Sequence, residues 1–333
     1  MKAIARALLV AALATLAAMA FAQPSFAQPS FAQRWPTKPI RLIVSVSPGQ
    51  ANDIIGRLLA DRLSRALGQQ MYVENIPGAS GMLGAQAAAR AAPDGYTLFL
   101  GPMSVMATNI YTMKSLPYDP RHDFTAVAML VDSAPFVITA NPNLPIKTLQ
   151  ELIAYAKAQP GKLSYAEVTS SAYSSIIGQL LMKRAGIEMV QVPYTSNAQA
   201  IQDTIAGTVP LLITAAVAVD GFVRDGKLRN IVITSHRRFP GTENLPTIDE
   251  TIPGFVLDGW FSIVAPAGTP ADIVQRLNHE IDSFLKDPEV LQKFHALGIS
   301  TSGANTPQGT AEYIRAEQER WGKIVQELDI QPQ

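Results

Sequence analysis

The chain has 333 residues, of which 47% are hydrophobic and 16% charged, and its 27 basic side chains balance 27 acidic ones. This length is enough for two ordinary domains, because single hydrophobic cores stop growing near this size. Without a net charge to attract nucleic acid or an anionic membrane, any charged ligand must be bound by a local site. The chain has 0 cysteines, which excludes disulfides, thiol chemistry and lipid attachment through a cysteine.

The first residues have the pattern of a secretory signal peptide. The basic start MKAIAR precedes an apolar run over residues 7–20 and the small-x-small pattern AFA; the run is too short for a convincing membrane anchor. The repeat FAQPSFAQPSFAQ offers further cleavage points after Ala27 and Ala32. We therefore assign residues 1–32 to a signal peptide and leader, which offers more than one cleavage site. We expect a periplasmic protein.

After the leader, strand patterns alternate with helix patterns. The predicted strands are PIRLIVSVS, MYVEN, YTLFLG, LSYAEV, MVQVPY, PLLITAA, NIVITS and WFSIVAP. The predicted helices are NDIIGRLLADRLSRALG, MLGAQAAARAA, TLQELIAYAKAQ, SSIIGQLLMKRAG, NAQAIQDTIAG and VDGFVRDGKLR, with two longer ones over about residues 271–286 and 306–327. Asp287-Pro288 stops the first of these two, and Pro307 starts the second. The alternation is typical of a parallel sheet with helices on both faces, in two domains that exchange segments through extended crossovers.

The sequence contains no motif for catalysis or for a metal. The histidines His122, His236, His279 and His295 lack HExxH or triad spacing, and we expect a surface or capping role for each. No GxSxG elbow or Walker loop occurs. The turn GASGMLG at residues 78–84 departs from the GxGxxG spacing of a dinucleotide site, so we interpret it as a tight turn with close helix packing. We expect neither enzymatic activity nor a cofactor.

The stretch SPGQAND, residues 47–53, lies between a predicted strand and a predicted helix. A helix N-terminus has unpaired N–H groups and a partial positive charge, so it stabilises an anion without a basic side chain. On this turn alone, the alternative that Asn52 or Asp53 caps the helix and the loop binds nothing is equally favoured. The loops TSSAYSS at 169–175 and YTSN at 194–197 also precede helices. Three such loops in two facing domains favour a cleft lined by helix starts.

These residues resemble the extracytoplasmic solute receptors of tripartite tricarboxylate transporters, the Bug receptors. The resemblance spans nearly the whole mature chain and rests on ordered matches, among them PIRLIV with SPGQAND, VENIPGASG, APDGYTL, LPYDP, VPY, DGKLR with ITS, LPTIDE, and WF with APAGTP. It implies an α/β fold like that of type II periplasmic binding proteins, with a ligand cleft between two domains. We assign domain 1 to residues 35–136 plus 236–333 and domain 2 to residues 137–235. The resemblance also implies that the two domains close around a small carboxylate-bearing organic acid.

The resemblance further implies which residues line this cleft. Family members hold a ligand carboxylate with the first strand-to-helix turn and the Ser-rich loop of the second domain, partly through ordered water, and neighbouring loops complete the site. The candidate ligand-binding residues on this pattern are Ser47, Pro48, Gly49, Gln50, Ala51, Asn52, Asp53, Met103, Ser104, Thr169, Ser170, Ser171, Tyr173, Ser174, Ser175, Thr195, Ser196, Asn197, Thr214 and Phe261.

Several positions depart from the family pattern and bear on the ligand. The first turn is usually Phe-Pro-Pro-Gly-Gly-Ser/Thr-Thr-Asp, whereas here it reads VSPGQAND, which loses an aromatic ring and gains an amide. Ser175 replaces a histidine, and Tyr173 adds bulk or a hydroxyl. Thr195 and Thr214 stand where the family often has Lys and Asp. Fewer charged groups favour a ligand with one carboxylate and a neutral or aromatic remainder, with an ordinary dicarboxylate as the alternative.

The partner of the closed receptor is not specified by the sequence. The resemblance implies delivery of the solute to the membrane subunits of a tripartite tricarboxylate-type transporter. A two-component sensor kinase that recognises the closed receptor is the alternative. A third hypothesis is an exported enzyme with this fold, but the sequence has no recognisable pairing of a nucleophile with a base. We expect a monomer that does not bind nucleic acid.

Overall fold

A computed structural model describes residues 35–168, 172–238 and 243–332. The predicted signal peptide and leader, residues 1–32, lie outside the described residues, as do Thr169, Ser170 and Ser171 of the predicted second loop. No helix in the described ranges is long and apolar enough to cross a membrane.

The strands of the described chain form one mixed sheet. They are β1 (Ile40–Val44), β2 (Met71–Asn75), β3 (Thr97–Pro102), β4 (Phe124–Ala140), β5 (Ser164–Val168), β6 (Val190–Tyr194), β7 (Leu211–Ala215), β8 (Arg229–Ile233) and β9 (Asp258–Pro266). Their order across the sheet is β2-β1-β3-β9-β4-β7-β5-β6, and β8 pairs with β4 beside this path. Strand β1 is parallel to β2 and β3, and β5 is parallel to β6 and β7. The predicted α/β fold class is confirmed.

Helices follow most of the strands. They are α1 (Ala51–Leu67), α2 (Met82–Ala89), α3 (Asn109–Thr112), α4 (Leu149–Ala158), α5 (Ala172–Ala185), α6 (Asn197–Ala206), α7 (Ala216–Arg224), α8 (Ala271–Leu285), α9 (Pro288–Ala296) and α10 (Pro307–Leu328). A 3₁₀ turn covers Ala79–Gly81, a second covers Ile248–Glu250, and a π-helical turn covers Ser104–Thr108. Helix α1 buries Ile55, Leu59 and Leu63 against the sheet, as expected for apolar side chains at a spacing of four.

Strand β4 is the main element that the sequence analysis missed. Its residues Phe124 to Pro135 pair with β9, and Phe136 to Ala140 pair with β7 and β8, all antiparallel. The register against β9 shifts between Ala126 and Ala128 and again further along the strand, so the side chains do not follow the simple alternation that identifies a strand in sequence. The expectation of a parallel sheet is therefore correct for the βα units and wrong for β4 and β9.

The prediction for the two C-terminal helices was nearly complete. Helix α8 ends at Leu285, before Asp287-Pro288, and α10 begins at Pro307 with the Thr306 hydroxyl accepting a hydrogen bond from the Gly309 N–H. Asp287-Pro288 also starts a helix: the Asp287 carboxylate accepts from the Glu289 N–H at 2.9 Å and Pro288 is the first residue of α9. Because proline is favoured at the first position of a helix, Asp287-Pro288 can end α8 and also start α9. Only the end of α8 was predicted from the sequence.

The ends of β1, β2 and β3 bring three connections to the same edge of the sheet. Because the three strands are parallel, the turn after β1 lies beside the turn after β2 and the π-helical turn after β3. Close packing fixes this edge: a Cβ on Gly84 of α2 would lie 3.0 Å from the Ser45 Cβ and 3.1 Å from the Ile76 carbonyl oxygen. The glycines of the GASGMLG turn therefore serve the tight packing that the sequence predicted.

We expect Gly84→Ala to lower the free energy of unfolding by about 1–3 kcal/mol, because its methyl group would be pressed against backbone. Gly221→Ala in α7 is the matched control, since no atom lies within 4 Å of its added Cβ, and helix propensity favours alanine there by about 0.5–1 kcal/mol. Urea unfolding of both variants measures the difference. Equal stability of Gly84→Ala and the wild type would contradict the proposed packing constraint.

Candidate functional site

A cavity of about 460 Å³ opens at this edge of the sheet. Its wall comes from the ends of β1 and β3, the turns that follow β1, β2 and β3, the start of α5, and one residue of α10. The lining residues are Ser45, Val46, Ser47, Gln50, Asn52, Pro77, Gly78, Ser80, Gly81, Pro102, Met103, Ser104, Val105, Thr108, Asn109, Thr112, Met113, Tyr173, Ile176 and Trp321. None of these described residues is an Asp, Glu, Lys, Arg or His. The cavity can therefore offer hydrogen bonds but no opposite charge to a ligand.

The first strand-to-helix turn contributes Ser47, Gln50 and Asn52 to this wall. Gln50 is the N-cap residue of α1 and its side chain makes no capping hydrogen bond. The first N–H groups of an α-helix have no partner within the helix, so they are available to an anionic group of a ligand. The adjacent Gly49 has a φ of +86°, which turns the chain sharply into the helix and which a glycine adopts without strain.

Asp53 has a structural role in this turn. Its carboxylate accepts hydrogen bonds from the Gly49 N–H at 2.8 Å, Arg57 Nε at 3.0 Å and Asn75 Nδ2 at 2.9 Å, and the residue is only 2% exposed. Burial raises the pKa of Asp53, but the hydrogen bonds from Arg57, Gly49 and Asn75 outweigh that effect and bring the pKa below its usual value. The carboxylate is thus engaged by protein groups, and it fixes the path of the turn from within.

The turn after β2 forms a second part of the wall, which the sequence analysis did not assign to the site. Gly78, Ala79, Ser80 and Gly81 all have positive φ values, and the Asn109 side chain donates to the Ser80 carbonyl oxygen at 3.3 Å. Non-glycine residues in this conformation carry strain that is common at functional sites. The sequence signal that could have predicted this part of the site is the position of GASG directly after β2, the strand beside β1.

The π-helical turn Ser104–Thr108 supplies the third part of the wall. Its backbone is held from outside the cavity by the Tyr118 hydroxyl, which donates to the Val105 carbonyl oxygen at 2.8 Å, and by Gln318 of α10, which donates to the Met106 carbonyl oxygen at 2.8 Å. π-Helical turns occur frequently at functional sites. Met103 and Ser104, both predicted from the resemblance, line the cavity together with Val105 and Thr108.

Among the described candidates of the Ser-rich loop, Tyr173 lines the cavity. It lies in the first turn of α5, with its ring 4.9 Å from the ring of Phe136 and 5.6 Å from that of Trp321, centroid to centroid. Burial raises the pKa of the Tyr173 hydroxyl well above its usual value, so the hydroxyl remains a neutral hydrogen-bond donor. Trp321 is fully buried; the sequence analysis missed it because a tryptophan on an amphipathic helix is usually a core residue.

The other described candidates do not line the cavity, and several have protein partners. Beside the structural Asp53, these are Pro48, Gly49, Ala51, Ser174, Ser175, Thr195, Ser196, Asn197, Thr214 and Phe261. The Ser175 hydroxyl accepts hydrogen bonds from Gln179 at 2.9 Å and Gln191 at 3.1 Å. The Thr214 hydroxyl donates to the Asn197 side chain at 2.9 Å. These contacts tie α5 and α6 to neighbouring strands.

A second cavity of about 800 Å³ lies between α7, β8 and the end of α9. Both of its arginines have protein partners: Arg224 pairs with Asp220 at 3.4 Å, and Arg229 donates to the carbonyl oxygens of Ile146 and Pro142 at 3.3 and 3.1 Å. None of the predicted ligand-binding residues lines this cavity. The smaller cavity at the strand ends is therefore the better candidate site, despite its lower volume.

One cluster has the residue types of a hydrolase triad but a different arrangement. Ser133 Oγ donates to the Asp258 carboxylate at 2.6 Å, and His236 Nδ1 lies 3.7 Å from that carboxylate. The serine therefore bonds the carboxylate directly, whereas the serine of a hydrolase triad bonds the imidazole. Across the described ranges, no group of three or more His, Cys, Asp or Glu side chains is placed to hold a metal ion.

Comparison with known sequences identifies the family. In open α/β sheets, ligands bind beyond the carboxyl ends of the strands, which is where this cavity lies. The family model described as the tripartite tricarboxylate transporter family receptor matches residues 55–330. BugT of Bordetella pertussis is 35% identical over 295 residues, 88% of this chain and 90% of that protein. A UPF0065 protein of Bordetella bronchiseptica is 34% identical over 300 residues, 90% of this chain and 88% of that protein. The chain belongs to this family of solute-binding receptors, as the resemblance predicted.

Solved structures agree with this assignment. An R. palustris protein determined with adipate is 32% identical, with a TM-score of 0.75 over 90% of this chain and 100% of that one. MatC of Rhodopseudomonas palustris, determined with malate, is 29% identical, with a TM-score of 0.69 over 87% of this chain and 100% of that one. The periplasmic binding protein BugD is 27% identical, with a TM-score of 0.70 over 90% of this chain and 100% of that one. The predicted type II-like fold is confirmed by these relatives.

We expect Asp53→Asn to lower the free energy of unfolding at pH 7 by about 1–3 kcal/mol, because a buried acceptor of three hydrogen bonds loses its charge. The folded-state pKa of Asp53 is lowered, so its contribution is fully present above the unfolded pKa of about 3.9 and is lost as the pH falls through the folded value. The difference between wild type and variant should therefore be constant above about pH 5 and should shrink below about pH 4.

Asp61→Asn on the same helix is the control, since Asp61 pairs with Arg65 four residues on and both side chains are 64% exposed. That substitution should change the unfolding free energy by less than about 0.5 kcal/mol. Chemical denaturation between pH 3 and 7 provides the measurement. A pH-independent difference for Asp53→Asn would show that the charge of Asp53 does not contribute.

Proposed function

We propose that the chain is a periplasmic receptor that captures a small carboxylate-bearing organic acid by domain closure and delivers it to the membrane subunits of a tripartite tricarboxylate-type transporter. The observation that carries this proposal is the cavity at the start of α1, where the N-cap side chain of Gln50 leaves the helix-start N–H groups without a side-chain partner. Such a helix start binds a carboxylate without a basic residue. Relatives determined with adipate and with malate support a carboxylate ligand.

Domain closure is supported by the two places where the chain crosses the sheet. Strand β4 passes from β9 to β7 between Pro135 and Phe136, and the chain returns at Thr234. The Thr234 N–H donates to the Phe136 carbonyl oxygen at 2.9 Å, and its hydroxyl accepts from the Phe136 N–H at 2.9 Å. Two adjacent crossings of this kind would serve as the hinge of such a closure. We accordingly propose residues 35–136 plus 236–333 as domain 1 and residues 137–235 as domain 2.

Tyr173 makes the cavity a site shared by both proposed domains. It belongs to domain 2, whereas its neighbour Trp321 and the first turn belong to domain 1. A ligand that contacts Tyr173 and the first turn at once binds the closed form better than the open form, and this difference drives closure. The signal-peptide pattern of the leader supports export, and the family of receptors supports a membrane transporter as the partner.

We expect small carboxylic acids to raise the melting temperature of the purified mature protein. Adipate and malate are the first probes, and neutral adipamide is the matched control because it lacks the anionic group. A ligand at 100 times its Kd stabilises the folded state by about 2.7 kcal/mol. Differential scanning fluorimetry, followed by calorimetric titration, measures the effect. Failure of every acid in a panel of mono- and dicarboxylates, or equal stabilisation by adipamide, would contradict the proposed function.

We expect Gly49→Asn to weaken carboxylate binding at least about tenfold, because its side chain would stand beside the helix-start N–H groups. Gly68→Asn at the other end of α1 is the control: Gly49 and Gly68 have φ values of +86° and +68°, and an added Cβ meets nothing within 4 Å at either position. Asparagine tolerates this conformation, so both variants should fold with a similar, small loss of stability. Unchanged affinity in Gly49→Asn, measured by titration, would refute the assigned carboxylate contact.

A further inference from the structure

Two side chains that line the cavity carry a buried donor without a hydrogen-bond partner in the described part of the chain. The donors are the Tyr173 hydroxyl and Trp321 Nε1, and both side chains line the cavity of about 460 Å³. Their rings lie 5.6 Å apart, centroid to centroid. Buried hydroxyl and indole N–H groups normally have a partner, because an unsatisfied polar group in the interior is unfavourable. The pair therefore indicates an acceptor that arrives with the ligand.

The charges around Tyr173 restrict what this acceptor can be. Tyr173 interacts electrostatically with the carboxylates of Asp258 and Glu317 and with the guanidinium of Arg320. Arg320 pairs with Glu317 at 2.7 Å, and the His236 imidazole lies 3.7 Å from the Asp258 carboxylate. A ligand carboxylate beside Tyr173 would face like charge in a region of low dielectric constant, without a cation on the cavity wall. A neutral oxygen avoids this repulsion.

The rest of the inner wall suits an apolar connection between two polar groups. Met103, Val105 and Ile176 line the cavity and are buried, so they can surround a short methylene chain. The hydrogen-bonding groups of the first turn, Ser47 and Gln50, come from a different element, the connection between β1 and α1. A ligand with its carboxylate at the first turn would therefore present its other end to the Tyr173 hydroxyl and the Trp321 indole.

We propose that Tyr173 and Trp321 bind a neutral oxygen at the end of the ligand remote from its carboxylate, so that the receptor selects monocarboxylic acids with a distal amide, carbonyl or hydroxyl oxygen. The Tyr173 hydroxyl and the Trp321 indole N–H donate to that oxygen, and the first turn binds the carboxylate. This inference rests on the proposed function and names the class of ligand for the same site.

Four acids with the same six-carbon chain test the proposal: hexanoate, 6-hydroxyhexanoate, the monoamide of adipic acid, and adipate. We expect the monoamide and the hydroxy acid to bind the wild-type protein about tenfold more tightly than hexanoate, because hexanoate leaves both donors unpaired. Adipate should bind more weakly than its monoamide, because of the second charge. Isothermal titration calorimetry at pH 7 gives the four Kd values.

Tyr173→Phe and Trp321→Phe each remove one donor and keep an aromatic ring. We expect either variant to reduce the preference for the monoamide over hexanoate about three- to tenfold while leaving the affinity for hexanoate nearly unchanged. Tyr72→Phe is the control, because Tyr72 is 43% exposed on β2 and does not line the cavity. Circular dichroism melting confirms that each variant is folded, and Tyr173→Phe alone carries the test if the buried Trp321 variant unfolds.

The outcomes distinguish a failure of the proposed function from a failure of the proposed preference for a neutral oxygen. If the wild type binds none of these acids and none of a broader carboxylate panel, the proposed function fails and this inference fails with it. If the wild type binds hexanoate as tightly as the monoamide, or adipate more tightly than both, the proposed function stands and the preference for a neutral oxygen is wrong. An unchanged preference in the folded Tyr173→Phe variant likewise overturns the role of that hydroxyl.

Discussion

Strand β4 is the constraint on which the rest of the structure depends. Its first part pairs with β9 and its last part with β7 and β8, so the same strand joins both halves of the sheet. At the crossing, the buried Asp258 carboxylate accepts hydrogen bonds from the Ser133 hydroxyl and the Ala134 N–H. Burial raises the pKa of Asp258, and the contacts with His236 and Ser133 act in the opposite direction. This polar junction at the crossing fixes where one half of the sheet ends and the other begins.

The site uses backbone geometry in place of ionic side chains. Asp53 holds the first turn by accepting from the Gly49 N–H, and Asn109 holds the strained turn after β2 at the Ser80 carbonyl. Each of these side chains positions the wall and leaves backbone and hydroxyl groups to face the cavity. An uncharged site binds an anion through oriented dipoles, which lose less on desolvation than a buried cation would. Such a site can also release its ligand to a partner without breaking an ion pair.

Sequence reasoning predicted the βα units and the first turn, because their apolar periodicity and their helix caps are local signals. It missed β4, whose register shifts remove the alternation of a strand, and it missed α9, whose start signal at Asp287 coincides with the stop of α8. Ser47, Gln50, Asn52, Met103, Ser104 and Tyr173 were expected at the site and line the cavity. Trp321 and the turn at Ser80 were not expected, because they reach the cavity only through the packing of α10 and the order of the strands.

Several residues that differ from the family pattern line this cavity, among them Val46, Gln50, Asn52 and Tyr173, whereas Ser175, Thr195 and Thr214 do not. The glycine turn and the strand ends provide a common frame, since their positions follow from backbone packing at Gly81 and Gly84. Gln50 and Tyr173 change the chemistry of the wall, Gln50 from the turn that Asp53 holds and Tyr173 from the first turn of α5. Tyr173 also contacts Phe136 at the crossing of β4. Tyr173 thus connects the cavity to the strand that both halves of the sheet share.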